Sequence, residues 1–344
     1  MRKFVFVLSL LLGLVTIFSV GNIANAAENK SYSIQAILPD TQQNKGVSYF
    51  DLHVEPGKEE TLKLLIANTG KKDLTITTEI NNAYTTNSGT IGYDKYNAKL
   101  YKSQNKPLSS LVEGKRKIKS EVKSGEAKEV SFKIKAPEES FSGIILGGIT
   151  TTADVSASRS SKMDIENQVR YVKGVVLHSD NDAEVIPEMN LLRGAPKGFN
   201  DTKGISFAFN NTAPINVNGV KMDAVIKHRG SKPIKYHAEN LQFAPNSQFE
   251  YFIPIKPLRP GVYSTELTIT SDAGYKKTFT NKLKITQGKI EALNESTNES
   301  VSPIRWIVII GSLLVILVVG LWFFLYFTGK KNGFKKQKND KSLM

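Results

Sequence analysis

Tyr49-Phe50-Asp51-Leu52-His53-Val54-Glu55-Pro56-Gly57-Lys58 is the stretch that decides the fold class. Phe50, Leu52 and Val54 fall on one side of an extended chain and Tyr49, Asp51 and His53 on the other, the two-residue period of a half-buried strand. Glu55-Pro56-Gly57-Lys58 then supplies a turn. Leu62, Leu64 and Ile66 repeat the alternation up to a second turn at Asn68-Thr69-Gly70. Leu74, Ile76, Thr78 and Ile80 continue it, and Val130, Phe132 and Ile134 form another such strand. Further strands are expected at 169–177, 205–209, 217–226, 249–255, 262–270 and 278–285. Turns every ~8–12 residues are the spacing of β-sandwiches. Helix is expected only as a single turn at 108–112. Gly147-Gly148, inside the apolar run 143–149, points either to a bulge or to a close backbone approach.

These strands are too many for one sandwich and comfortable for two. The expected fold class is all-β: two consecutive immunoglobulin-like β-sandwich domains, at 28–152 and 165–288, followed by a single C-terminal transmembrane helix. The low-hydrophobicity stretch 153–164 reads as the linker between the sandwiches, and the polar stretch 289–303 as a flexible stalk.

The chain is apolar at both ends. Arg2-Lys3, the apolar run 4–20 and the small residues Ala24 and Ala26 make residues 1–26 a secretory signal, cut after Ala26. The 22 residues 306–327 carry no charge, and roughly 20 helical residues cross a ~30 Å hydrocarbon core. A transmembrane helix is therefore expected at 304–327, with Trp306, Trp322 and Tyr326 at interfacial depth. The tail 328–344 carries six lysines against one aspartate, which keeps it cytoplasmic. The expected localisation is the cell membrane, single-pass, with the bulk of the chain outside the cell.

The formal net charge is +14. Much of it belongs to the tail and the signal, and the remainder is spread thinly over the exterior part. A thin basic surface suits an anionic wall polymer or lipid and not a nucleic-acid groove. Cysteine is absent, so the exterior domains must be held by ordinary cores and not by disulfides. The Lys-, Asn- and Thr-rich composition fits a low-GC Gram-positive bacterium.

Catalytic chemistry has little to work with. There is no thiol nucleophile, no G-x-S-x-G elbow, no P-loop and no S-x-x-K set. His53, His178, His228 and His237 lack the spacing of metal ligands. Glu138-Glu139 are neighbours after a proline, not two carboxyls facing each other across a cleft. No enzyme, cofactor or metal is expected.

Binding has more. Residues 83–96 place Tyr84, Tyr93 and Tyr96 among Thr, Asn and Gly. Tyrosine combines apolar area with a polar tip, so these rings either stack on sugars or grip peptide, or else pack on the rim of their own sandwich. The run Lys115-Arg116-Lys117-Ile118-Lys119 either contacts an anionic polymer or protects a sheet edge by charge. The candidate contact residues are Tyr84, Tyr93, Tyr96, Lys115 and Lys117.

The order of several motifs resembles one family. Val47-Ser48-Tyr49-Phe50-Asp51-Leu52-His53-Val54-Glu55-Pro56-Gly57 followed by Ile66-Ala67-Asn68-Thr69-Gly70 resembles the opening of the WxL-interacting proteins of low-GC Gram-positive bacteria. Asn82-Ala83-Tyr84-Thr85, Phe132-Lys133-Ile134, Gly143-Ile144-Ile145-Leu146-Gly147-Gly148-Ile149 and Tyr171-Val172-Lys173-Gly174-Val175-Val176-Leu177 are similar to its later segments. The resemblance implies an N-terminal peptidoglycan-binding domain, a C-terminal host-binding domain and partnership with WxL-domain surface proteins. The expected function is a non-enzymatic, membrane-anchored scaffold or adhesin that binds peptidoglycan and WxL-domain proteins. The alternative is an adhesin for host extracellular-matrix protein, with wall contact secondary.

Overall fold

The alternating apolar residues of 50–54, 62–66 and 130–134 all point into one core. In the computed structural model, which describes residues 32–98, 100–101, 105–154, 169–180, 183–297, 310–312, 315, 317 and 319, each of them is buried. The first half forms β1 (Tyr32–Ile37), β2 (Phe50–His53), β3 (Glu59–Asn68), β4 (Leu74–Asn82), β5 (Tyr84–Thr85) and β6 (Ile91–Gly92). The helical turn α1 (Leu108–Leu111) follows, where one turn is expected, then β7 (Val112–Glu113), β8 (Lys117–Val122), β9 (Ala127–Lys135), β10 (Ile145–Ala153) and β11 (Arg170–His178). Two sheets, in the orders β1-β3-β9-β7 and β2-β11-β10-β4-β8, close on this core.

Strand β11 corrects the expected division of the chain. It lies antiparallel to β10, with Thr152 opposite Arg170, and parallel to β2. Val175 and Leu177 are fully buried in the first core. Tyr171 meets Tyr32 of β1 edge-on at 4.8 Å, and the Tyr32 hydroxyl donates to the Thr151 carbonyl at 3.0 Å. Residues 153–164 therefore belong to the connection between two paired strands of one sandwich, and do not join two sandwiches. The crossing to the second half falls in residues 179–188.

The second half comprises β12 (Met189–Phe199), β13 (Thr202–Asn211), β14 (Val217–His228), β15 (Ile234–Phe243), β16 (Ser247–Pro254), β17 (Gly261–Thr270) and β18 (Lys276–Ile285). Sheets β12-β13-β16 and β15-β14-β17-β18 enclose a core rich in aromatics: Phe207, Phe209, Phe243, Phe249 and Tyr263. The expected stalk is corrected as well. Gln287–Thr297 is a helix, α2, whose Ile290 and Leu293 are buried against this core. Two apolar residues three apart share a helix face, which is enough to dock an otherwise polar segment.

The expected signal at 1–26 and tail at 328–344 lie outside the described residues, as does most of 304–327. Among the described residues no helix is long and apolar enough to cross a membrane. Within the expected span, Ile310, Val315, Leu317 and Val319 are helical and exposed.

Burying a Val or Leu side chain contributes about 1.5–3 kcal/mol, against a typical domain stability of about 5–15 kcal/mol. Loss of β11 removes two such residues and the parallel partner of β2. A fragment ending at residue 153 is expected to be unfolded or aggregated, whereas residues 32–180 unfold cooperatively. Circular dichroism melts of the two fragments check this; a cooperative melt of the shorter one would show that β11 is dispensable.

Candidate binding surface

The tyrosine segment is built on β4. After Asn82 the chain leaves the sheet as the hairpin β5–β6, with Tyr84 opposite Gly92. It then crosses the outer face of sheet β2-β11-β10-β4-β8. Tyr93 lies against Gly148 of β10, where an added Cβ would stand 2.8 Å from its ring. Tyr96 reaches the edge strand side, with the Arg116 guanidinium 4.1 Å above its ring. Gly147 faces inward, and a Cβ there would stand 2.3 Å from Leu108 of α1. The register of β10 runs without a shift, so close approach, and not a bulge, is the reason for the glycine pair.

The tip of the hairpin docks on the second sandwich. The backbone N–H groups of Gln242 and Phe252 donate to the carbonyls of Gly89 (2.7 Å) and Asn87 (3.2 Å). The Thr85 hydroxyl accepts from the Ala244 N–H and shares a hydrogen bond with Ser247, both 2.9 Å. Farther on, Tyr101 N–H donates to Asn246 and Ile144 N–H to Pro214, both at 2.7 Å. Gly143 makes the last contact possible: its φ is +70° and a Cβ would lie 2.1 Å from the Pro214 oxygen, so only glycine combines that backbone with that approach. A small apolar cluster of Ala83, Leu146 and Ala244 fills the junction. The segment expected to be a free contact loop is thus partly a clamp between the two sandwiches.

The five candidate residues separate accordingly. Tyr84 is half-buried; its hydroxyl donates to Asp94 at 2.6 Å, and the Lys95 amine stands 4.0 Å over its ring. Burial, and then the Asp94 carboxylate, hold the Tyr84 hydroxyl well above the usual phenol range, so it stays a donor. Tyr93 is half-buried and also raised, by burial first and then by Tyr49. Tyr96 and Lys115 are exposed. Lys117 sits on edge strand β8, paired with Glu79 at 2.7 Å, and that bond raises its amine above the ordinary lysine range. Tyr84 joins Asp94 and Lys95, Tyr93 lies on Gly148, and Tyr96 and Lys117 form a separate group toward the sheet edge. Lys115 is brought to neither group.

Three further positions border this surface and have no signal in the tyrosine segment itself. Tyr49 packs over Gly174, which pairs directly with Gly148 across β10 and β11. Val172 is exposed beside them. Arg170 holds Asp94 at 3.1 Å. Arg170, Val172 and Gly174 share the outward period of β11, readable only once that strand is assigned to this sheet.

The groups that suggest chemistry are engaged elsewhere. Glu138 bonds Lys135 at 2.7 Å, which holds its carboxyl below the usual range, opposite to what a general acid requires. His53, His178 and His237 pair with Asp180, Asp51 and Asp223 at 2.7–2.9 Å, and His228 packs on Tyr263. Among the described residues no three His, Asp or Glu groups converge as a metal site.

With both halves and their junction in view, comparison with known proteins is decisive on family. The model described as WxL Interacting Protein, peptidoglycan binding domain, matches residues 32–153, and the one described as WxL Interacting Protein, host binding domain, matches 160–295. The chain belongs to the WxL-interacting protein family. No relative was found among curated protein sequences. Among solved structures, the chaperone–tip adhesin complex of CFA/I fimbriae is similar at 12% identity, covering 72% of this chain and 98% of that one, with a TM-score of 0.31. The class 5 fimbriae chaperone CfaA matches at 11% identity over 74% and 99%, TM-score 0.27. The E. coli chaperone DraB matches at 11% over 74% and 97%, TM-score 0.28. In this member of the family, a strand from the range of the host-binding model completes the sandwich of the peptidoglycan-binding model.

Asp94 gives the surface a pH signature. Its carboxyl is lowered, chiefly by the Tyr84 hydrogen bond, with Arg170 contributing. A folded pKa below the unfolded value of about 3.9 means the stabilisation is complete above that value and is lost as pH falls through the folded one. Asp94→Asn is expected to lower the melting temperature at pH 7 and to make little difference at pH 3. Parallel thermal melts at the two values check it; an equal gap at both would rule the linkage out.

Proposed function

We propose that this chain is a non-enzymatic, membrane-anchored surface scaffold. Its first sandwich holds peptidoglycan and its second engages host matrix protein or WxL-domain surface proteins. The observation that carries the reading is the match of the two halves to a peptidoglycan-binding and a host-binding model in that order.

Anchoring rests on the sequence. The uncharged run 306–327, with lysines after it, is long enough to cross a bilayer. It stands beyond α2, so the docked helix shortens the distance between the second sandwich and the bilayer compared with a fully flexible stalk. A second reading, adhesion to host protein with wall contact secondary, is favoured by the description of the second model.

Cells expressing the full chain are expected to carry it in the membrane fraction, and a chain ending at residue 300 to be released. In co-sedimentation, the full chain in mild detergent is expected to pellet with purified sacculi without releasing soluble muropeptides. Recovery of the truncated chain in the membrane would defeat the anchor, and muropeptide release would defeat the non-enzymatic reading.

A further inference from the structure

The outer face of sheet β2-β11-β10-β4-β8 is bare at its centre. Gly148 and Gly174 face each other across β10 and β11, and no side chain rises from either. Tyr93 lies on one of them and Tyr49 on the other. Tyr49 is 38% exposed and Val172, next to Tyr93, is 41% exposed. The exposed Tyr49 and the half-buried Tyr93 lie over an apolar strip where most sheets of this kind present polar side chains.

The backbone beneath both rings is fixed by buried amides. Gln42, 5% exposed, donates through Nε2 to the Tyr49 carbonyl at 3.0 Å and accepts from the Asp51 N–H at 3.1 Å. Asn81, fully buried, donates through Nδ2 to the Tyr93 carbonyl at 3.0 Å. Its Oδ1 has no partner among the described residues. A buried, half-satisfied amide opposes stability, so its use to hold the chain beneath a half-buried ring is better matched to binding than to folding. Backbone held in advance loses little freedom on contact with a ligand.

The rim of this strip is polar and basic. Tyr84, Asp94 and Arg170 form one hydrogen-bonded row. Lys95 stands over Tyr84. Among the described residues its amine has no carboxylate within ion-pair distance. Aromatic faces with a planar polar rim fit a pyranose ring, whose C–H face is apolar and whose edge carries hydroxyl and amide groups. An amine at the rim without a carboxylate partner complements the carboxylates that peptidoglycan carries beside its sugars.

We infer that Tyr49 and Tyr93, over the Gly148–Gly174 strip, form a subsite for the N-acetylhexosamine glycan strand of peptidoglycan. The inference rests on the proposed peptidoglycan binding and specifies where on the first sandwich it occurs and which part of the polymer is read. Tyr84, Asp94 and Arg170 orient the sugar edge, and Lys95 meets the attached acids. Tyr96 and Lys117 lie outside it.

The test is co-sedimentation of the full chain, in mild detergent, with purified sacculi. Peptide-free glycan strands and free stem peptide serve as separate competitors. Tyr49→Ala removes one ring. Gly174→Val fills the strip, and its Cβ meets only Tyr49 atoms at 3.8–3.9 Å, ordinary contact, so folding is expected to survive even if Tyr49→Ala fails to fold. Val262→Ala, on the exposed surface of the second sandwich, is the control. The expected result is a tenfold or greater loss of sacculus binding for both platform variants, none for the control, and competition by glycan strands. Sacculus binding unchanged in Gly174→Val, or competition by stem peptide alone, would overturn the subsite and leave peptidoglycan binding standing. No sacculus binding by the unaltered chain would overturn both.

Discussion

A buried threonine hydroxyl holds the molecule's two halves in register. Thr85 accepts the Ala244 N–H and bonds Ser247, and it can do so only because the β5–β6 hairpin leaves the first sandwich at that point. Two further backbone bonds, to Asn87 and Gly89, fix the tip on the second sandwich. The polypeptide that returns from this tip is what crosses the first sheet and lays Tyr93 on Gly148. The interdomain contact and the exposed aromatic face are therefore consequences of one hairpin. Domains joined by a chain usually move relative to each other unless their interface is extensive. Here the buried Thr85 hydrogen bonds and the backbone bonds beside them take the place that apolar area has elsewhere.

The same geometry ties the two family modules together. β11 lies in the range of the second model but completes the sheet of the first. The chain thus enters the second sandwich directly from a buried strand, after residues 179–188, and is clamped again by the hairpin. A ligand bound on the outer face of β10 and β11 sits on strands continuous with the junction.

Much of this is legible in the sequence, for a physical reason. Strand period depends on local alternation, so the spacing of Phe50, Leu52, Val54, Leu62, Leu64 and Ile66 alone assigns them to one core. Sheet membership depends on distant pairing. A polar stretch such as 153–164 looks the same whether it joins two domains or two strands of one hairpin, and only the register of β10 with β11 distinguishes them. The helix at 287–297 escapes a periodicity reading because its apolar face is just Ile290 and Leu293 among polar residues. The tyrosine segment stands out by composition, yet composition cannot separate a ring that clamps from one that faces solvent. Tyr49 is visible in the sequence as the outward neighbour of Phe50; what makes it functional is Gly174 beneath it, far along the chain.

If the hairpin makes the two sandwiches one body, they unfold together. Differential scanning calorimetry of residues 27–300 is the most direct measure. The account predicts a single cooperative transition that splits into two when Thr85→Ala weakens the clamp. Two independent transitions in the unaltered chain would contradict it.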